Sequence, residues 1–157
     1  MKRLFALLIL VGTLIPASTL GETRGRAEII RAPKGKVPVA HIVQKELQRA
    51  HKEGRELVVY VGAPWCEPCK RFHEAIEMGA LDEVFPTLRL LEFDRGDDES
   101  RLAADGYLSR LIPLFVIPQA DGRASEQRFE GSIKGPGAIS NIVPRLKRML
   151  ATPRTEP

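Results

Sequence analysis

Apolar and polar positions change their spacing several times along the chain, and each change predicts a new element. Apolar side chains recur at helical intervals from Val39 to Ala50, and Gly54 supplies a stop signal for that helix. The β-branched run at 56–63, ELVVYVGA, predicts a buried strand. A second helical pattern then extends from the cysteine pair to about Met78.

The second half of the chain contains shorter runs of the same two kinds. Asp121–Gly122 predicts a tight turn between two strands. Pro144 lies inside the last helical pattern, so we expect a kink or a restart there. The predicted elements are strands at 88–94, 111–118 and 124–131, a short helix within 97–107, and a final helix within 135–150 that turns Ile139, Ile142, Val143, Leu146 and Leu150 inward.

This order of elements, β-α-β-α-β-α-β-β-α, predicts an α/β protein. Strands that alternate with helices form a sheet covered by helices on both faces, here a mixed sheet that ends in an antiparallel hairpin. Residues 37–150 form this domain. Residues 22–36 are charged and rich in glycine and proline, which predicts a linker or a short N-terminal strand at Ala27–Arg31. We expect residues 151–157 to be a disordered tail.

The first 21 residues differ in kind from the rest. A basic start, MKR, precedes twelve apolar or small residues and then PASTLG, the order typical of a secretory signal peptide. The apolar run is short for a transmembrane helix. We therefore expect a periplasmic or secreted protein after cleavage, and the alternative is a membrane anchor formed by the uncleaved segment.

Charge and length narrow the classes of partner. The net charge is +4, and without residues 1–21 it is +2. No long basic run with interleaved aromatic residues is present, so we expect no nucleic-acid binding. A chain of 157 residues predicts one domain, which we expect to be a monomer.

The only two cysteines lie in WCEPCK, Trp65 to Lys70. A disulfide across so short a loop removes little chain entropy, which argues against a structural staple. A copper or zinc site is an alternative, with Cys66, Cys69 and His73 as ligands. Structural zinc needs a fourth ligand, and we expect His73 to be a solvated helix residue. A reactive dithiol fits the strand–helix junction better.

The helix that begins at this motif favours thiol chemistry. Cys66 would lie at the helix N-terminus, where free N–H groups and the dipole stabilise a thiolate. Pro68 suits the first turn because its missing N–H costs nothing there. Cys69 lies on the same side of that turn, within reach of a mixed disulfide on Cys66. Glu67 disfavours the thiolate electrostatically and Lys70 favours it.

VVYVGAPWCEPCK, LLEFD, LIPLFVI, DG and FEG together resemble the thioredoxin family over about residues 37–150. The resemblance implies a thioredoxin fold and a cis peptide bond between Ile112 and Pro113. It also implies that Trp65, Ile112 and Pro113 form a shallow groove for protein substrates. The C-E-P-C sequence is similar to that of extracytoplasmic thioredoxin-like reductases that serve cytochrome c maturation.

Three positions depart from the family pattern. Tyr60 stands where thioredoxins have a buried acid, Leu90 where they have a lysine near that acid, and Gly62 where they have an aromatic residue. The acid assists proton removal from the second cysteine. We expect Tyr60 to be core packing rather than a catalytic phenol.

The sequence therefore predicts a thiol–disulfide oxidoreductase that reduces protein disulfides with Cys66 as the attacking and Cys69 as the resolving thiol. It needs no cofactor beyond this redox-active pair. We expect electrons to come from a membrane partner or a thiol donor. The alternatives are a copper- or zinc-handling protein and a thioredoxin-like binding module without redox cycling.

Overall fold

The computed structural model of the chain describes residues 25–153. The predicted signal peptide and the last four residues lie outside this range. The elements are β1 Glu28–Arg31, α1 Val39–Lys52, β2 Glu56–Gly62, α2 Glu67–Glu77, β3 Leu88–Asp94, α3 Glu99–Ala104, β4 Leu114–Pro118, β5 Ala124–Glu130 and α4 Ala138–Ala151.

The five strands form one mixed sheet in the order β1-β3-β2-β4-β5. β1, β3 and β2 run parallel, whereas β4 is antiparallel to both β2 and β5. The predicted element order and the antiparallel hairpin are confirmed. The short strand expected at Ala27–Arg31 is β1, the edge strand that pairs with β3.

Side chains alternate between two apolar layers, one on each face of the sheet. Tyr60 of β2 packs on one face with apolar residues of α2 and α4. Val59 and Val61 pack on the other face with α1 and α3. Helices therefore cover both faces, as predicted, and the cysteines belong to the layer that contains α2 and α4.

Two sequence predictions need correction. Of the kink or restart expected at Pro144, the restart is wrong, because the last helix continues through Pro144 to Ala151. Pro144 and Ser140 lie on the exposed face, where water can solvate the Ser140 carbonyl that loses its helical N–H partner. The strand expected from residue 111 begins at Leu114, after Pro113, which has no N–H for the sheet ladder.

Candidate active site

The dithiol motif lies where β2 passes into α2. Cys66 is the N-cap of α2, and Pro68 lies in the first turn as predicted. Cys66 and Cys69 form a disulfide with 5.2 Å between their Cα atoms. The Cys69 N–H donates to the Cys66 sulfur at 3.3 Å. The helix thus directs its N-terminal N–H groups at Cys66, an arrangement that stabilises a thiolate at that position.

The predicted groove residues adjoin this motif. Trp65 is 73% exposed directly before Cys66. The Ile112–Pro113 bond is cis, as expected. β2 pairs with β4 through Val61 and Leu114, so Pro113 comes next to the end of β2 from which the cysteine loop departs. Ile112 packs against the layer that contains both cysteines.

One apolar residue at this rim was missed by the sequence interpretation. Leu111 is 59% exposed, and its side chain packs over Gly131. Gly131 in turn donates its N–H to the Pro113 carbonyl at 2.8 Å. The sequence pattern placed Leu111 at the start of a strand. Because β4 begins only at Leu114, Leu111 lies in the preceding loop.

Glu67 links the dithiol helix to the turn before α4. Its carboxylate pairs with Arg71 and accepts the Gly135 N–H at 3.1 Å. The hydrogen bond from Arg71, and then the one from Gly135, lower the pKa of Glu67 below its usual value. The carboxylate is therefore ionised, and Arg71 offsets much of the negative charge that Glu67 brings to the motif. Lys70 is exposed beside them.

Tyr60 occupies the position that an acid holds in thioredoxins, and it is fully buried. Its ring packs on Phe72 and Phe115 with centroid distances of 5.9 and 5.2 Å. Its hydroxyl has no hydrogen-bond partner among the described residues. Burial, and secondarily the charge of Glu92, raise the pKa of Tyr60 far above its ordinary value. The phenol stays neutral and acts as core packing, as expected.

The structure brings His73 to an acid that sequence reasoning did not connect with it. The Nε2 atom of His73 lies 2.7 Å from Oε1 of Glu92, and both side chains are about four-fifths buried. The expectation of a solvated histidine is wrong, because α2 turns this face towards β3. The register places Glu92 directly beside Tyr60 on the neighbouring strand.

A cleft of about 570 Å³ opens next to this pair, and Cys69, His73 and Glu92 line it. No group of three or more metal-binding side chains occurs within residues 25–153. His73 faces Glu92 and the two sulfurs bond to each other, so the structure offers no specific support for the copper or zinc alternative. Over the same residues, no helix has the length and hydropathy of a membrane span.

No protein-family model matches the chain, and no curated protein matches it significantly. Several solved structures match the chain. Thioredoxin h of poplar has a TM-score of 0.50 at 22% identity and covers 82% of this chain and 100% of its own. Oxidised thioredoxin O1 of Arabidopsis thaliana has a TM-score of 0.44 at 15% identity, covering 78% and 94%. Thioredoxin of Trypanosoma brucei brucei has a TM-score of 0.43 at 16% identity, covering 85% and 98%. The chain has a thioredoxin fold.

Proposed function

We propose that this protein is an extracytoplasmic thiol–disulfide oxidoreductase that reduces disulfides in proteins. The observation that carries the proposal is the Cys66–Cys69 disulfide at the N-terminus of α2, beside the Ile112–Pro113 loop. A strand–helix junction of this kind gives one sulfur a stabilised thiolate and keeps a second within attacking distance.

The reaction needs only the two cysteines and a substrate disulfide. The Cys66 thiolate attacks one substrate sulfur, forms a mixed disulfide and releases the first substrate thiol. Cys69 then attacks the Cys66 sulfur, closes the intramolecular disulfide and releases the second thiol. The substrate gains two electrons and the protein loses two. A dithiol electron donor, which we expect to be a membrane protein, restores the reduced pair.

Exposed apolar residues at the rim support a polypeptide substrate. Trp65, directly before Cys66, and Leu111, directly before the Ile112–Pro113 bond, each expose more than half of their surface. An extended peptide can cover such side chains and bring its disulfide over Cys66. The chain carries no other cysteine, so this dithiol is the one available to exchange with it.

The N-terminal sequence supports the compartment. Residues 1–21 have the order of a secretory signal, and disulfides persist outside the cytoplasm. The mature chain should begin between about residues 18 and 24, which mass spectrometry of the native protein measures. A soluble cytosolic protein that retains Met1 would contradict the proposed compartment.

Reduction of insulin with dithiothreitol as the electron donor tests the activity. Cys66→Ser should abolish turnover, because no nucleophile remains, while its circular dichroism stays that of the parent. Cys69→Ser should accumulate mixed disulfides with insulin chains, visible on non-reducing gels. Turnover at the parent rate by Cys66→Ser would overturn the proposed function.

A further inference from the structure

His73 lies four residues after Cys69 on α2, so the two side chains share one face of the helix at a Cβ separation of about 5–6 Å. Both line the same cleft. Residues of β1 and β3 border this cleft, whereas the Ile112–Pro113 loop leads into β4 on the other side of β2.

Glu92 fixes the orientation of the imidazole. The contact of 2.7 Å between Oε1 of Glu92 and Nε2 of His73 favours the tautomer that carries its proton on Nε2. Nδ1 then has a free lone pair with which to accept a proton. Since both side chains are largely buried, solvent screens their interaction less than it would at the surface. A nucleophile that contacts a base, which a carboxylate in turn orients, is a recurrent arrangement for activating a thiol. Cys69, His73 and Glu92 follow this order.

Resolution by Cys69 requires that its thiol lose a proton. Tyr60, which stands at the position of the acid in thioredoxins, cannot accept that proton. Tyr60 is buried and neutral, and its hydroxyl makes no hydrogen bond among the described residues. His73 packs on the Tyr60 ring at 5.6 Å between centroids, so the imidazole lies one side chain away from that position. The cleft gives it access to water and to Cys69.

We propose that His73, oriented by Glu92, accepts the proton of the Cys69 thiol when Cys69 resolves the mixed disulfide. The inference rests on the proposed function. The S–H bond of Cys69 breaks, and its proton passes to Nδ1 of His73 directly or through one water. The thiolate forms the bond to Cys66 as the Cys66–substrate bond breaks. The departing substrate sulfur takes up a proton from the imidazolium or from water.

Charged residues of both signs line the cleft beside the imidazole and its partner Glu92. These are Arg31 and Lys34 on or after β1, Lys70 and Glu74 on α2, and Asp94, Asp97 and Asp98 at and after the end of β3.

Stopped-flow reaction of the reduced protein with 5,5′-dithiobis(2-nitrobenzoate) separates the two steps. Attack by Cys66 releases the first thionitrobenzoate, and resolution by Cys69 releases the second. His73→Gln should slow the second phase by roughly 100-fold at pH 7 and leave the first unchanged. Glu92→Gln, a change in a positioning residue, should slow the second phase by about tenfold. Glu77→Gln, an exposed position on α2 outside the cleft, is the matched control and should change neither.

The pH profile distinguishes proton transfer from a structural effect. In the parent, the second phase should rise less steeply with pH than in His73→Gln, where it should rise about tenfold per pH unit from 6 to 8. Equal second phases in parent and His73→Gln would overturn the inference. So would a parent profile that rises as steeply with pH as that of His73→Gln. Absence of the first phase in the parent would instead contradict the proposed function.

Discussion

At the scale of single residues, the substitutions at positions 60 and 62 are physically coupled. A Cβ atom on Gly62 would lie 2.9 Å from the Tyr60 hydroxyl and 3.1 Å from its ring carbon Cζ. The Tyr60 side chain thus fills the space that a side chain at 62 would need. The two departures from the thioredoxin pattern are therefore one rearrangement of the core. The large side chain of Tyr60 leaves room only for glycine at position 62.

Tyr60→Phe should leave insulin reduction unchanged and stability equal or slightly higher. The hydroxyl is buried without a partner, so its removal relieves an unsatisfied polar group and creates little empty space. Thermal melts and turnover rates measure both effects. A large loss of turnover in Tyr60→Phe would show that the hydroxyl is catalytic and would contradict its assignment to packing.

Gly62→Ala should lower the free energy of unfolding by about 1–3 kcal/mol, because a methyl group overpacks a fully buried layer. In the Tyr60→Phe background the cost should be smaller, since the nearest atom is then absent. A double-mutant cycle by chemical denaturation gives this coupling. Additive effects of the two substitutions would contradict the steric account.

At the scale of elements, Glu67 joins the start of α2 to the turn that precedes α4. Its carboxylate accepts the Gly135 N–H, and Gly135 has a positive φ of 83° that suits glycine. The residue between the two cysteines therefore also fixes a loop on the far side of the motif.

Glu67→Gln should destabilise the protein at pH 7 more than at pH 3. The folded-state pKa of Glu67 lies below its unfolded value. Its ionic contacts therefore stabilise the fold above the unfolded pKa of about 4.3, and this contribution is lost as pH falls through the folded pKa. Denaturation at several pH values measures the difference, with Glu74→Gln as the control. A difference between parent and Glu67→Gln that persists undiminished at pH 3 would contradict the ionic account.

The local sequence pattern predicted the strands and helices. It could not predict features that depend on tertiary contacts. The β-branched run of β2 and the cap–proline order of α2 act within a few residues, so the strand and the helix start were predictable. Contact between His73 and Glu92 depends on how α2 lies across β3, and no local spacing relates residues 19 apart. Pro144 predicted a kink or a restart, and exposure of that face allowed the helix to continue without a restart.

At the scale of the whole molecule, the dithiol follows β2, which lies between β3 and β4 in the sheet. Different residues therefore adjoin the two cysteines on the β3 side and on the β4 side. In the proposed reaction, Trp65 and the Ile112–Pro113 loop present Cys66 to a substrate on the β4 side. His73 and Glu92 adjoin Cys69 on the β3 side. In the proposed reaction, substrate exchange therefore takes place on the β4 side of β2 and proton transfer on the β3 side.

The charges around the motif bear on the direction of electron flow. Glu67 disfavours the Cys66 thiolate and so favours the disulfide, whereas Arg71, which pairs with Glu67, acts in the opposite direction. A proline precedes the second cysteine, as in the reducing members of the family that the sequence resembles. We expect the disulfide form to be the more stable one under mildly oxidising conditions. The protein then donates electrons when a partner keeps it reduced.

The reduction potential of the Cys66–Cys69 couple tests the central claim most directly. Equilibration with glutathione buffers, followed by acid quench and alkylation, gives the fraction reduced by mass. A redox-active reductase should exchange reversibly and give a potential below about −200 mV, in the range of glutaredoxins and thioredoxins. A dithiol that does not exchange with glutathione, or a potential near −120 mV as in a strong oxidant, would contradict the account.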